Sequence, residues 1–141
     1  MSATFSRVFE IHGRDFTNAG RVSTEIKDLL KRMGIDAALV RRVAIASYEA
    51  EMNVVMYARH AVVVLTVTPA AVALEIADEG PGIPDVDLAM QEGWSTATSE
   101  MREMGFGAGM GLPNIRRNSD AFTINSMVGH GTRLSIRVDV M

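Results

Sequence analysis

Apolar residues recur along this chain at two spacings, and the switches between them mark its elements. From Phe16 they fall at Ala19, Val22, Ile26, Leu29, Leu30 and Met33, which is one face of a helix. Gly34 follows directly, where a left-handed residue commonly closes a helix. A second, longer helix is predicted from Ala37 to about Arg59, with Asp36 as its N-cap. Elsewhere the period drops to two. "FSRVFEI" (5–11) reads as a first strand with imperfect alternation. "AVVVLTVT" and "AVALEIAD" flank Pro69, are rich in β-branched residues and predict a hairpin. "AFTINSMVGHGTRLSIRVDV" predicts two closing strands around a Gly129–Gly131 turn. Residues 79–111 hold nine glycines and prolines around one short helical stretch, 85–92, and form the long irregular loop. Pro113 suits the first position of a helix running to about Asn118. The order β-α-α-β-β-loop-α-β-β predicts an α+β fold with helices on one sheet face.

Composition narrows the class of protein. The 141 residues make one ordinary domain, able to bury about 70% of the surface its unfolded chain exposes. Apolar residues are 48% and charged ones 22%, which suits a globular chain and not a disordered tail. The net charge of -3 gives no footing for nucleic acid, which calls for a basic stripe. Without a cysteine, a disulfide framework, a thiolate nucleophile and a cysteine zinc site are excluded. "MSATFSRVFEIHGRDF" has no long apolar run, and no segment approaches membrane-spanning length. The expectation is a cytoplasmic protein with no membrane partner.

Three short motifs carry chemistry. "MGFGAGMGLP" (104–113) places glycines at 105, 107, 109 and 111, a costly choice unless bare backbone is needed there. It lacks the Lys-Ser/Thr pair of a P-loop, and it is not the G-x-G-x-x-G of a dinucleotide site. The H-R-D and D-F-G of eukaryotic-type kinases are also missing. The run leads into the helix at Pro113, and N–H groups at a helix start attract anions. Alone it reads equally as a flexible linker or lid hinge.

In "IADEGPGIPD" (76–85) a strand ends in Asp78 and turns on Gly80 and Gly82. The carboxylate accepts hydrogen bonds only, which suits an exocyclic amine such as adenine's, and the glycines let a flat ring approach the backbone. An acidic hairpin turn has the same form. In "YEAEMNVVMYA" (48–58), Glu49 and Asn53 are four apart and share a helix face. Asn53 offers a hard oxygen for Mg²⁺, and Glu49 a base for an attacking hydroxyl. Both are also ordinary residues on an exposed helix face. Glu51 points elsewhere and is expected to be solvated.

The order and spacing of these motifs, with Gly131-Thr132 at a strand start, resemble the GHKL superfamily of gyrases, heat-shock chaperones, histidine kinases and MutL proteins. The likeness runs from about Phe5 to Val138. It implies the Bergerat ATP-binding fold, a two-layer α/β sandwich with a mixed, mainly antiparallel sheet. It also implies ATP and Mg²⁺ as cofactors. Asn53 would hold the metal and Asp78 the adenine amine, with Gly80, Gly82 and Ile83 framing the ring. Gly107, Gly109, Gly111 and Leu112 would line the phosphates beneath a lid of about 84–111. Thr132 would support the adenine-binding carboxylate.

Among the branches, histidine kinases carry a helical hairpin with a phospho-acceptor histidine. His12, His60 and His130 fall near an element end, a helix end and a turn. Gyrase and MutL relatives carry a following transducer domain, for which no residues remain. A free-standing domain of this length resembles the anti-sigma-factor and switch-protein serine kinases, and "DEGPGIPD", "EGWSTATS" and "GAGMGLPNIRR" look most like the switch-kinase side. Two positions depart from those relatives. Tyr57 stands where many carry Lys or His, and Gly107 stands where sigma-binding relatives often have arginine. Arg102, Arg116, Arg117 or backbone and metal alone could meet the phosphate charge instead.

The resemblance therefore implies a serine/threonine kinase acting on a STAS-type antagonist protein, with Glu49 as the base. A sigma factor or phosphatase as further partner, and a homodimer, are consistent with it. The alternative is a nucleotide-gated module that sequesters a sigma factor or other partner without catalysis.

Overall fold

A computed structural model describes residues 4–91 and 111–140. Five strands form a single sheet: β1 (Phe5–His12), β2 (His60–Val67), β3 (Ala71–Glu79), β4 (Ala121–Met127) and β5 (Gly131–Asp139), in the order β1-β2-β3-β5-β4. All four pairings are antiparallel, so among the described residues the sheet is antiparallel throughout where a mixed one was expected. The fold class is otherwise the expected α+β sandwich. Alternation along the strands selects the face that the helices cover. Ala61, Val63, Leu65 and Val67 of β2, Val72, Leu74 and Ile76 of β3, and Leu134, Ile136 and Val138 of β5 are all buried.

The β2–β3 hairpin forms around Pro69 as the sequence indicates. Thr68 closes it, its hydroxyl accepting from the N–H groups of Ala70 and Ala71.

Two helices dominate the other layer, α1 (Arg21–Arg32) and α2 (Ala37–Tyr57). Their junction follows the sequence signals closely. Ile35 donates to the Leu30 carbonyl and Gly34 to that of Lys31, while Gly34 sits at φ +76. That is a Schellman closure, and it explains the glycine. Asp36 caps α2 by accepting from the Ala38 N–H at 3.1 Å. Arg42 of α2 holds Asp120, which also accepts from the Asp139 N–H, so α2 is tied to the far edge of the sheet. The Arg42 hydrogen bonds hold the Asp120 carboxyl below the ordinary range, with the Asp139 bond adding to them.

The start of α1 departs from the periodic reading. The apolar pattern from Phe16 predicts one continuous helix, but Phe16–Asn18 is a single 3₁₀ turn and Gly20 breaks the chain at φ +95. Gly20 as N-cap has no side chain to satisfy the helix's first donors. Glu51, on α2, does so instead. Its carboxylate accepts from the N–H of Gly20 (3.0 Å), Val22 (3.2 Å) and Ser23 (2.8 Å), and the residue is only 2% exposed. The expected solvated Glu51 is thus a buried cap between helices. Burying a carboxylate is tolerated here because three donors and the positive end of a helix meet it.

Among the described residues two shorter helices join this layer, α3 (Val86–Ala89) and α4 (Gly111–Arg117). The first is shorter than the expected 85–92 and is capped by Asp85, which accepts from Leu88. In the second, Pro113 is the third residue and not the first. A first-turn N–H lacks a helical partner anyway, so proline fits there equally well. No helix among the described residues is long and apolar enough to cross a membrane.

Replacing Glu51 with alanine should leave three buried donors without an acceptor. Denaturant unfolding should then show a loss of about 3 kcal/mol, against under about 1 kcal/mol for Glu49→Ala. Equal losses from the two would contradict the capping role.

Candidate functional site

The polar residues singled out in the sequence gather along the C-terminal half of α2. Glu49 and Asn53 are one turn apart, and the helix ends at Tyr57, about 12 Å beyond Glu49 at 1.5 Å per residue. Helix α4 packs across them. Asn114 donates from its amide to Glu49 Oε2 at 2.9 Å, and Arg117 donates to Asn114 Oδ1 at 3.2 Å. Glu49 is therefore held from a second helix, with one oxygen turned to Asn114. Nothing in the motifs announced Asn114. The signal available was its place in "GLPNIRR", one turn beyond the last glycine.

Asn53 is half-buried, and its amide makes no hydrogen bond to a described residue. Gly111 lies opposite it. A Cβ on Gly111 would touch Asn53 Oδ1 at 3.4 Å, so any longer side chain would cover the amide. Leu112, the next residue, turns its side chain into the core, which leaves only its backbone to face a phosphate. Gly107, Gly109 and Arg102 lie outside the described residues, as do 92–110 of the expected lid.

At the end of α2 the chain brings Asp78 to a second cluster. Its carboxylate accepts from the Thr132 N–H at 3.0 Å and from the N–H of Gly80. Thr132 thus supports Asp78 through its backbone, while its hydroxyl lies 2.8 Å from Ser126 Oγ. Ser126 in turn accepts from the Ile83 N–H at 2.7 Å. This serine went unnoticed in the sequence. The hairpin register, which sets Ser126 opposite Thr132, could have found it.

The glycines here have packing reasons of their own. Gly82, at φ +78, lies so close to Met127 and Val128 that a side chain would collide with their backbone. Gly131, at φ +133, is pressed likewise against the Asp78 carbonyl. Gly129 donates to the Pro81 carbonyl, so the loop after β3 is fastened to the β4–β5 turn. Tyr57, the departure noted above, is half-buried against Met52 and Met56.

A histidine kinase-like ATPase domain model matches residues 14–138, nearly the whole chain. The chain belongs to that family. A stretch of 57 residues, 40% of this chain, is 42% identical to the serine/threonine-protein kinase RsbT of Bacillus subtilis (strain 168) and spans 37% of that protein. These likenesses agree with the switch-kinase side of the GHKL superfamily.

The residues of this histidine kinase-like domain suit a nucleotide with its metal. Among the described residues no three His, Cys, Asp or Glu cluster to bind an ion. A lone uncommitted amide oxygen at Asn53 suits Mg²⁺, which takes few protein ligands and completes its shell with phosphate and water. Asp78 has acceptor capacity left beyond its two N–H contacts, as an amine ligand requires.

Burial raises the Asp78 pKa, against the lowering effect of the Thr132 and Gly80 N–H groups. A folded pKa above the unfolded one means that ionised Asp78 subtracts stability as pH rises through the folded value. Asp78→Asn should therefore melt at a higher temperature than the parent at neutral pH. The gap should close as the pH falls below about 4, the unfolded carboxyl range. A variant less stable than the parent at neutral pH would contradict this.

Proposed function

We propose that this domain is an ATP- and Mg²⁺-dependent serine/threonine protein kinase. Its substrate would be a STAS-type antagonist protein in a bacterial partner-switching pathway of the cytoplasm. A sigma factor or a phosphatase would be a further partner, and the domain could act as a homodimer. One observation carries the reading: Glu49 accepts from Asn114 one helical turn from Asn53, which puts the proposed base beside the proposed metal ligand. The match to a kinase over 57 residues supports it.

In this reading Asp78 receives the adenine amine, with Gly80, Gly82 and Ile83 bordering the ring. Thr132 and Ser126 hold that border in place. Asn53 would ligate Mg²⁺, which when bound neutralises charge on the phosphates. Gly107, Gly109, Gly111 and Leu112 would supply backbone around those phosphates. Glu49 would take the proton of the acceptor hydroxyl while the hydroxyl oxygen bonds to the γ-phosphorus of ATP, with ADP as the leaving group that keeps the electrons of the broken P–O bond. Such transfer needs mainly positioning and charge neutralisation from the protein.

Substitutions at the two α2 residues should separate binding from chemistry. Asn53→Ala should lose Mg²⁺-dependent ATP affinity in a calorimetric titration. Glu49→Ala should keep that affinity and cut phosphoryl transfer to antagonist domains from the same genome by about 10²- to 10⁴-fold. Transfer at the parent rate by Glu49→Ala would remove its role as base. A parent that binds a partner in an ATP-dependent way but transfers nothing would favour the non-catalytic module.

A titration of ATP into Asp78→Asn addresses the other end of the site. Affinity should fall at least about tenfold, because an amide presents a donor where the adenine amine needs an acceptor. Unchanged affinity in the folded variant would move the adenine elsewhere.

A further inference from the structure

Beside Glu49 a cleft of about 710 Å³ opens between α1 and α2, on the exposed side of the helical layer. Lys27 and Lys31, one turn apart on α1, form one wall. Arg41, Ile45 and Tyr48, at helical spacing on α2, form the other. Glu49 and Asn114 lie at one end. Lys27, Lys31 and Arg41 are exposed, and none makes an ion pair with a described residue. Arg21, Arg42, Arg133 and Arg137 differ, since each has a carboxylate partner within 4 Å. Three uncompensated cations thus border one recess on a chain whose net charge is -3. The lining is not all polar: Ile35, Val40 and Ile45 contribute to it, and Tyr48 stays 45% exposed there.

We propose that this cleft seats the segment of the substrate protein that carries the acceptor hydroxyl, and that it selects acidic, amphipathic segments. The inference rests on the kinase reading and adds the side from which the acceptor enters. Charge complementarity decides the occupant. Lys27, Lys31 and Arg41 attract Asp and Glu, while the apolar floor and Tyr48 require apolar side chains on one face of the segment. A polyanion such as nucleic acid would use the cations but not the apolar floor. Glu49 is the acidic residue among those lining the cleft, and it lies at the end where the hydroxyl would arrive. Neither Asn53 nor Asp78 lines the cleft, so in this proposal the three cations serve the acceptor and not ATP.

Fluorescence anisotropy with short synthetic peptides tests this. One peptide carries a serine flanked by Asp and Glu, with leucines at helical spacing. Its counterpart has every acid replaced by lysine. The acidic peptide should bind the parent, more weakly as salt rises, and the basic one should not. The double variant Lys27→Glu/Lys31→Glu, and separately Arg41→Glu, should bind the acidic peptide at least about tenfold more weakly with ATP affinity unchanged. Circular dichroism of each variant reports whether its fold is kept.

Absent or charge-blind peptide binding, with ATP binding intact, overturns the docking site and leaves the kinase reading standing. Tighter binding of a DNA duplex or of anionic phospholipid vesicles through Lys27 and Lys31 overturns it as well. A parent that binds no ATP overturns the kinase reading itself, and the acceptor assignment with it.

Discussion

The helical layer depends on one carboxylate. Glu51 lies on α2, yet it completes α1, because Gly20 brings no side chain to the helix start. At φ +95 position 20 disfavours a serine, so α1 takes its cap from α2. Capped from α2, it has its first turn fixed against the middle of that helix. The packing of Val22, Ile26 and Leu30 against Val43, Ala46 and Ala50 then follows from a polar register mark. A buried ion pair adds little net stability, but a carboxylate with three directed donors admits few alternative alignments. Glu49 and Asn53 occupy the same stretch of α2 as this lock. The helix that presents the candidate chemistry is therefore also the helix that caps its neighbour.

Much of the fold was legible because local signals and periodicity agree. Asp36, Gly34 and the strand alternation each act within a few residues, and each appears in the structure where the sequence puts it. Glu51 was illegible for the opposite reason. Its partners are about 30 residues away, and its identity matches that of any solvated helix acid. The break at Gly20 was masked by apolar residues that keep helical spacing through a segment that is not helical. Periodicity reports which face is buried, not whether the backbone is continuous.

The candidate site divides along the same line. Asp78, Asn53 and Glu49 stand out because their motifs are compact. Asn114 and Ser126 do not, since Asn114 acts on Glu49 and Ser126 on Ile83, 65 and 43 residues away. The sequence reads Gly80 and Gly82 as room for a ligand and Gly131 as part of a turn. Their surroundings show that Gly82 and Gly131 are needed for the loop after β3 to lie against the β4–β5 turn, a requirement that holds with no ligand at all. Shape needed for packing and shape suited to a nucleotide coincide there.

The contact of Gly131 with the Asp78 carbonyl has a topological meaning. Strands β3 and β5 are neighbours, so everything from Gly80 to His130 is an excursion that departs and returns through one pinched neck. Closing a flexible loop costs only about 0.6 kcal/mol more for each doubling of its length. A change in the length of the segment between β3 and β4 can therefore leave the neck sealed. Asp78 and Thr132 sit in that seal. The residues proposed to read the base are thereby insulated from length changes in the segment proposed to cover the phosphates, and the two can diverge independently.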